Sequence, residues 1–125
     1  MIKYLVFSAA LLFIAYVEGF LNPFVVWNAL PFGLGFGFVG QAERANRPLA
    51  AAVGFSIGAG GLSLLFHCAW LFDWGGTASG SSTSGIAFLF LPVVALVPGA
   101  IGKAIGRGVD RRRNRAESRP DHHGA

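Results

Sequence analysis

Residues 48–72 read PLAAAVGFSIGAGGLSLLFHCAWLF, and this stretch contains no Asp, Glu, Lys or Arg. Three other stretches are equally free of these charged residues: 4–17, 19–42 and 74–102. A soluble helix of such length needs a polar face, but these stretches offer mainly apolar, small and aromatic side chains. A helix needs about 20 apolar residues to cross a hydrocarbon core about 30 Å thick. The sequence therefore predicts an integral membrane protein of the all-α class.

The composition of the chain points the same way. Of its 125 residues, 54% are hydrophobic and 13% are charged, whereas an average soluble domain has about 25% charged residues. A single cysteine, Cys68, excludes a disulfide scaffold within the chain. The apolar share also excludes a disordered chain, and length and composition together exclude a two-domain soluble enzyme.

Four transmembrane helices are predicted, packed as a compact bundle within residues 1–106. Pro31 in the second helix, and Pro92 and Pro98 in the fourth, predict kinks, because proline lacks an amide hydrogen and its ring clashes with the preceding turn. Residues 107–125 are expected to form a basic, disordered cytoplasmic tail. The four predicted spans are residues 4–21, 24–40, 49–72 and 86–102.

The basic residues predict the orientation of these spans. From the amino-terminal flank through the three loops to the tail, the flanks hold 1, 0, 2, 0 and 7 Lys or Arg. By the positive-inside rule, both termini and loop 41–48 are cytoplasmic in a multi-pass protein of the cell membrane. Residues 75–85, rich in Gly and Ser, are expected to form a flexible outer loop. The first span resembles a signal peptide, but residues 15–17 lack the small residues of a cleavage site, which favours a retained helix.

Small residues at helical spacing predict where the helices pack, since they let backbones approach closely in a membrane. The third span carries them on two nearly opposite faces, which places this helix at the centre of the bundle. The residues predicted to pack are Gly33 and Gly37 in the second span, Gly54, Gly58, Gly60 and Gly61 in the third, and Gly99 and Gly102 in the fourth.

A polar cluster is predicted near the outer end of the bundle. His67 lies within the third span, where ionisable residues are often functional, and either Glu18 or Asp73 is expected to pair with it. A neutral, structural histidine, a proton-transfer group and a haem ligand all remain open at this point. The residues of the candidate polar, proton-binding or ligand-binding site are His67, Ser63, Ser56, Glu18, Asp73 and Asn28.

Sequence motifs give no indication of an enzyme. Residues 35–40 match G-x-G-x-x-G, but they lie in an uncharged apolar run after Pro31, where a kinked helix is favoured over a nucleotide-binding loop. The chain contains no Ser/His/Asp set, no paired catalytic carboxylates, no phosphate loop and no ligand spacing typical of zinc. We therefore expect neither a catalytic activity nor a metal or cofactor.

Arginines dominate the carboxy-terminal tail, and directly after a membrane span they are expected to contact anionic lipid rather than nucleic acid. These residues are Arg107, Arg111, Arg112, Arg113 and Arg115. The leading functional hypothesis is a non-enzymatic structural or accessory subunit that packs through Gly, Ala and Ser faces, as a homo-oligomer or in a larger membrane complex. One alternative is a small oligomeric channel, exporter or holin-like pore with a polar face around His67. Another is a cofactor-binding membrane subunit.

Overall fold

The computed structural model describes residues 1–80 and 84–119, and within them the chain is all-helical, with 83% helix and no strand. Short 3-10 turns occupy Trp74–Gly76 and Ser84–Ile86. Residues 81–83 of the predicted outer loop and residues 120–125 of the predicted tail lie outside the described residues. The α-helices are α1 (Ile2–Glu18), α2 (Phe24–Asn28), α3 (Leu30–Arg44), α4 (Ala50–Leu71) and α5 (Ala87–Glu117).

Two helical segments are long and apolar enough to cross a membrane: α4, with 22 residues, and the 34-residue segment Ser84–Glu117 that contains α5. At 1.5 Å per residue, α4 is ~33 Å long. The first predicted span forms α1, which has 17 residues and is shorter than α4. The second forms two helices, because Pro31 has no amide hydrogen to donate to the carbonyl of Trp27, which interrupts the hydrogen-bond ladder between α2 and α3.

Helix α5 continues farther than the sequence predicts. It contains Pro92 and Pro98 and still extends through Glu117, so residues 107–117 are helical where a disordered tail is expected. One contact ties this extension to the rest of the protein: Asp110 Oδ2 accepts a hydrogen bond of 3.3 Å from the backbone amide of Ala51 on α4. The helical extension of α5 beyond its apolar residues therefore still contacts the start of α4.

Helix α4 lies at the centre of the fold, in contact with α1, α3 and α5. The core consists mostly of small residues, and many larger apolar side chains point outward over the length of the helices. The buried apolar side chains are Ala10, Ile14, Ala52, Phe55, Ala59, Phe88, Leu91 and Ala95.

Helices α4 and α5 pack closely because glycines face each other across their interface. A Cβ atom added at Gly54 would overlap the backbone carbonyl of Gly102, and one added at Gly58 would overlap that of Pro98. At Gly99 an added Cβ would lie 2.9 Å from the Cβ of Ala59. These approaches allow backbone contact that any larger side chain prevents.

Three of the predicted glycines pack against no other part of residues 1–80 and 84–119. Gly33, Gly37 and Gly61 have no atom within 4 Å of the position of an added Cβ. Helix α3 instead faces α4 through Gly35, where an added Cβ would lie 2.6 Å from Ser56 Oγ. Two residues along a helix correspond to a rotation of about 200°, so the face that carries Gly33 and Gly37 points away from α4.

One further predicted glycine does pack. Gly60 faces α3, and an added Cβ would lie 3.1 Å from the ring of Phe32. The two small-residue faces of α4 therefore serve different neighbours: Gly54 and Gly58 contact α5, whereas Gly60 contacts α3.

Candidate functional site

A buried imidazole lies where the end of α1 meets the last turns of α4. His67 is fully buried, and its Nδ1 atom lies 2.7 Å from the backbone carbonyl oxygen of Ser63, one turn earlier on α4. Its Nε2 atom lies 2.7 Å from Oε1 of Glu18, the last residue of α1. The Glu18 side chain is 3% exposed, so this polar pair is almost completely shielded.

The two hydrogen bonds of His67 determine which ring nitrogen carries a hydrogen. A backbone carbonyl only accepts hydrogen bonds, so Nδ1 must be the donor to Ser63. The bond between Nε2 and Glu18 then requires one more hydrogen, either on the carboxyl group or on the ring. The pair is therefore a carboxylic acid beside a neutral imidazole, or a carboxylate beside an imidazolium, and both forms hold the same shared proton.

The two hydrogen bonds of His67 are present together only when the pair contains the shared hydrogen. With Nδ1 protonated and the carboxyl group ionised, the carboxylate of Glu18 faces the lone pair of Nε2. With a hydrogen on Nε2 alone, the lone pair of Nδ1 faces the carbonyl oxygen of Ser63. Each of these arrangements places two acceptors against each other, so only a pair with the shared hydrogen satisfies both contacts.

Several polar atoms in this part of the fold have hydrogen-bonding capacity left. Within the described part of the chain, Glu18 Oε2, Ser63 Oγ and both amide atoms of the Asn28 side chain are buried without a protein partner. Asn28 and Ser63 are fully buried. Buried polar groups are nearly always hydrogen-bonded in native proteins, so an ordered water or a ligand group is the expected partner of each of these atoms. Glu18 Oε2 belongs to the pair itself, and Ser63 lies one turn before His67 on α4.

A cavity of about 430 Å³ lies beside the pair, between the end of α1, the end of α4 and the start of α5. Glu18 and Asn22 line it on one side, and Trp70 and Phe88 line it on the other. Asn22 donates from Nδ2 to the backbone carbonyl of Glu18 at 3.3 Å and accepts a bond from the amide of Phe24 at 3.0 Å. These two bonds hold the backbone turn that follows Glu18 at the edge of the cavity.

Aromatic rings cover the imidazole on the side of α5. The ring centroid of Phe88 lies 5.1 Å from that of His67, 4.8 Å from that of Trp70 and 5.1 Å from that of Phe66. All three are edge-to-face pairs, a geometry that aromatic rings favour. Glu18 is consequently the member of the pair that lines the cavity, while His67 stays behind it.

Asp73, the other acid proposed to pair with His67, lies outside this cluster. Its Oδ1 atom accepts hydrogen bonds from the backbone amides of Ala78 at 2.8 Å and Ser79 at 3.1 Å, and its Oδ2 accepts one from the Ser79 hydroxyl. These bonds, with that of the Ser79 hydroxyl first, hold the pKa of the Asp73 carboxyl below its usual value. The expectation that Asp73 faces His67 fails because the carboxylate organises its own turn, the described start of the loop predicted to be flexible.

Ser56 is also separate from the cluster. Its hydroxyl donates to the backbone carbonyl of Ala52 at 3.0 Å and lies against Gly35 of α3. Two turns of helix separate Ser56 from Ser63, a distance of about 10 Å. Of the predicted polar residues on α4, Ser63 and His67 therefore lie together near its carboxyl end, and Ser56 lies apart from them.

The sequence interpretation did not identify the contacts that join α2 to α5 at this end. Trp27 Nε1 donates to the backbone carbonyl of Leu89 at 2.8 Å. The amide hydrogen that Pro92 lacks would have bonded to the carbonyl of Phe88, four residues earlier, and not to that of Leu89. The sequence therefore gave no signal for this contact.

Comparison of the chain with known protein families, with curated proteins and with solved structures finds no match. The function is therefore argued from the site. Both ring nitrogens of His67 are engaged in the described arrangement, so neither is available as an axial haem ligand. Within residues 1–80 and 84–119, no three His, Cys, Asp or Glu side chains gather as a metal site would require.

Proposed function

We propose that the chain crosses a membrane four times, through α1, through α2 and α3 together, through α4 and through α5. The outward-facing apolar side chains of α1, α2, α4 and α5 support this, because a water-soluble surface rarely carries so many. Helix α1 is about 26 Å long, and a small deficit against the hydrocarbon core is tolerated at a modest cost. Helices α2 and α3 together cover residues 24–44 and supply the remaining crossing.

Contacts between distant residues support a cytoplasmic location for both termini. Lys3 at the start of α1 forms an ion pair with Glu43 near the end of α3. Asp110, among the arginines of α5, accepts a bond from Ala51 at the start of α4. The basic flanks therefore meet at one end of the bundle, as the positive-inside rule requires of cytoplasmic segments. The pair of Glu18 with His67 belongs to the other end.

Within this topology we propose a non-enzymatic, proton-linked channel or exporter. The observation that carries this proposal is the shielded Glu18–His67 pair, which holds a shared proton beside a cavity at the outer end. Ionisable residues inside a membrane bundle mark proton or ion pathways, because their burial is costly without such a role. The leading sequence hypothesis, an accessory subunit, loses part of its basis because Gly54, Gly58 and Gly99 pack within the chain.

Proton flux into liposomes tests this proposal. The purified protein is reconstituted with an internal pH-sensitive dye, and a potassium diffusion potential drives protons inward. We expect a flux above that of protein-free liposomes, and we expect Glu18→Gln to abolish the excess. A glutamine donates to neutral Nε2 in place of the carboxylic acid, so this variant keeps the hydrogen bond and the fold.

Glu43→Gln is the matched control, since it removes an acid that pairs with Lys3 at the opposite end. We expect this control to retain the flux. A wild-type protein that moves no protons, or a Glu18→Gln variant that moves them at the wild-type rate, would contradict the proposal.

An accessory role remains the second candidate, with a specific observation in its favour. Gly33, Gly37 and Gly61 leave open space where a Cβ would lie, and small residues on an outer face suit close contact with another helix. We propose a second copy of this chain as the partner. Oxidative cross-linking in membranes tests it with Gly37→Cys in a Cys68→Ala background, and Ser8→Cys on the exposed side of α1 is the control.

Dimers at position 37 and none at position 8 would support this interface. Equal yields at both positions, or none at position 37, would contradict it.

A further inference from the structure

A second cavity, of about 380 Å³, lies at the basic end of the bundle between the end of α3, the start of α4 and α5. Four cationic side chains line it, and only one carboxylate, that of Asp110, lies among them. Three of the cations follow one another at intervals of four residues on α5, which places them along one side of that helix. The four cationic residues, termed here the basic pocket, are Arg47, Lys103, Arg107 and Arg111.

No carboxylate within the described part of the chain forms an ion pair with any cation of the basic pocket. Asp110 is directed to the amide of Ala51 instead, and the bond of 3.3 Å fixes α5 against the first turn of α4. Four cations and one carboxylate thus give the described lining of this cavity a net charge of +3. An anionic group bound among them would form charge-assisted hydrogen bonds, which are stronger than neutral ones.

The remaining lining of the cavity has two polar side chains, Gln41 and Asn114, and otherwise apolar residues. The apolar residues are Phe38, Ala42, Pro48, Ala51 and Ala52. Lys103 Nζ lies 4.0 Å from the centroid of the Phe38 ring, a cation–π contact that joins the cationic and the apolar lining. A cavity that combines cationic, polar and apolar lining matches the junction between a headgroup and the glycerol backbone of a lipid. A free inorganic anion has no use for the apolar walls.

We propose that the basic pocket binds the phosphate group of an anionic phospholipid in the leaflet next to the basic end. Arg47 and Arg107 contact the phosphate as planar hydrogen-bond donors, and Lys103 and Arg111 add positive charge beside it. This proposal rests on the membrane topology proposed above. It differs from general attraction of the arginine-rich tail to a charged surface, because it requires a defined cavity between three helices.

Lipid binding to the purified full chain in a neutral detergent tests the site. The probes are phosphatidic acid, phosphatidylcholine and inorganic phosphate, and the readouts are the fraction of lipid-bound protein in native mass spectrometry and the shift in thermal unfolding temperature. We expect phosphatidic acid to bind and to raise the unfolding temperature. We expect phosphatidylcholine and inorganic phosphate at equal concentration to do neither.

A double variant of equal charge change provides the control. Arg47→Gln with Arg107→Gln removes two cations of the basic pocket, whereas Arg44→Gln with Arg119→Gln removes two arginines that do not line it. A charge-assisted hydrogen bond contributes about 1.5–3 kcal/mol, so the first variant should bind phosphatidic acid at least about tenfold more weakly. The second should bind it like the wild type.

Equal losses in the two double variants would overturn the proposal, because they would indicate unspecific attraction by net charge. Inorganic phosphate that binds as tightly as the lipid would overturn it in favour of a free anion. Binding in detergent does not depend on proton flux or orientation, so failure here is distinguishable from failure of the proposed function. If Arg47→Gln with Arg107→Gln unfolds, the lipid-protected unfolding temperature of Arg107→Gln alone provides the comparison with Arg44→Gln.

Discussion

Replacement of a single glycine in α4 by alanine should have opposite consequences at two positions. Gly54 faces the backbone carbonyl of Gly102, which an added Cβ would overlap. Gly61, two turns later on the same helix, has no atom within 4 Å of an added Cβ. Gly54→Ala and Gly61→Ala therefore add the same methyl group to the same helix, once in a closed interface and once in open space.

Two contributions determine the stability of these variants: one is common to both, and the other applies only to Gly54→Ala. Both gain about 0.5–1 kcal/mol of helix propensity, because alanine loses less conformational entropy in a helix than glycine. Only Gly54→Ala must separate two backbones, neither of which can rotate away from the other. Overpacking of this kind costs about 1–3 kcal/mol. Since the propensity gain cancels, Gly54→Ala should be less stable than Gly61→Ala by about 1–3 kcal/mol.

Loss of helical circular dichroism with increasing sodium dodecyl sulfate in mixed micelles measures the free energy of unfolding of each variant. Gly102→Ala should behave like Gly54→Ala, and the double variant should cost less than the sum, because the helices need to separate only once. A Gly54→Ala protein as stable as Gly61→Ala would refute the close approach of α4 and α5.

Three further predictions concern the end of the protein that holds Glu18 and His67. Glu18→Ala leaves Nε2 of His67 without its partner and should lower the free energy of unfolding by about 1–3 kcal/mol, whereas Glu18→Gln keeps the bond and should cost less; equal losses would contradict the pairing. Trp27→Phe removes the indole of α2 that donates to the Leu89 carbonyl on α5, and it should lower the free energy of unfolding by about 1 kcal/mol in the same assay. An unchanged stability would count against that hydrogen bond. The pKa of Asp73 should lie below its usual value of 3.8 in a carboxyl NMR titration, because Ser79 bonds the charged form. The turn then has this stabilisation above pH 3.8 and loses it as the pH falls through the lowered pKa. Ser79→Ala should move the titration midpoint of Asp73 back upward. An unmoved midpoint would contradict the assignment.

The sequence predicted the positions of helices better than the directions in which they face. Residues 49–72 were predicted as one span, and α4 occupies Ala50–Leu71, because an uncharged run with regular small residues favours one uninterrupted helix. For the second span the sequence predicted a kink at Pro31, and the structure has a break between α2 and α3 just before it. Both features, the uninterrupted α4 and the break before Pro31, depend on residues within the same short segment, so the sequence can predict them.

Packing directions depend on tertiary contacts that no single helix encodes. The stripe of Gly33 and Gly37 and the position of Gly35 are equally plausible packing faces of one helix, and only the placement of α4 selects Gly35. The continuation of α5 past residue 106 likewise depends on a distant contact, that of Asp110 with the amide of Ala51. Charge density alone predicted disorder there.

In the polar site, too, the sequence predicted positions along the helices but not the directions of the side chains. The depth of Glu18 and of Asp73 along the bundle was similar in the sequence, and both were therefore candidates to meet His67. Depth does not determine the direction of a side chain around the bundle, and Asp73 lies in a turn with a positive φ of 50° whose own amides bind its carboxylate. Glu18 is the helical one of the two acids, at the end of α1, and it meets His67.

The protonation of His67 tests the central claim most directly. In a protein with His122 and His123 replaced by glutamine, His67 is the sole histidine, and the ¹⁵N chemical shifts of its ring report which nitrogen carries hydrogen. A protonated Nδ1 near neutral pH, with the Nε2 signal altered by Glu18→Gln, is the result that a proton-holding pair requires. An unprotonated Nδ1, or an Nε2 signal indifferent to Glu18→Gln, would contradict it.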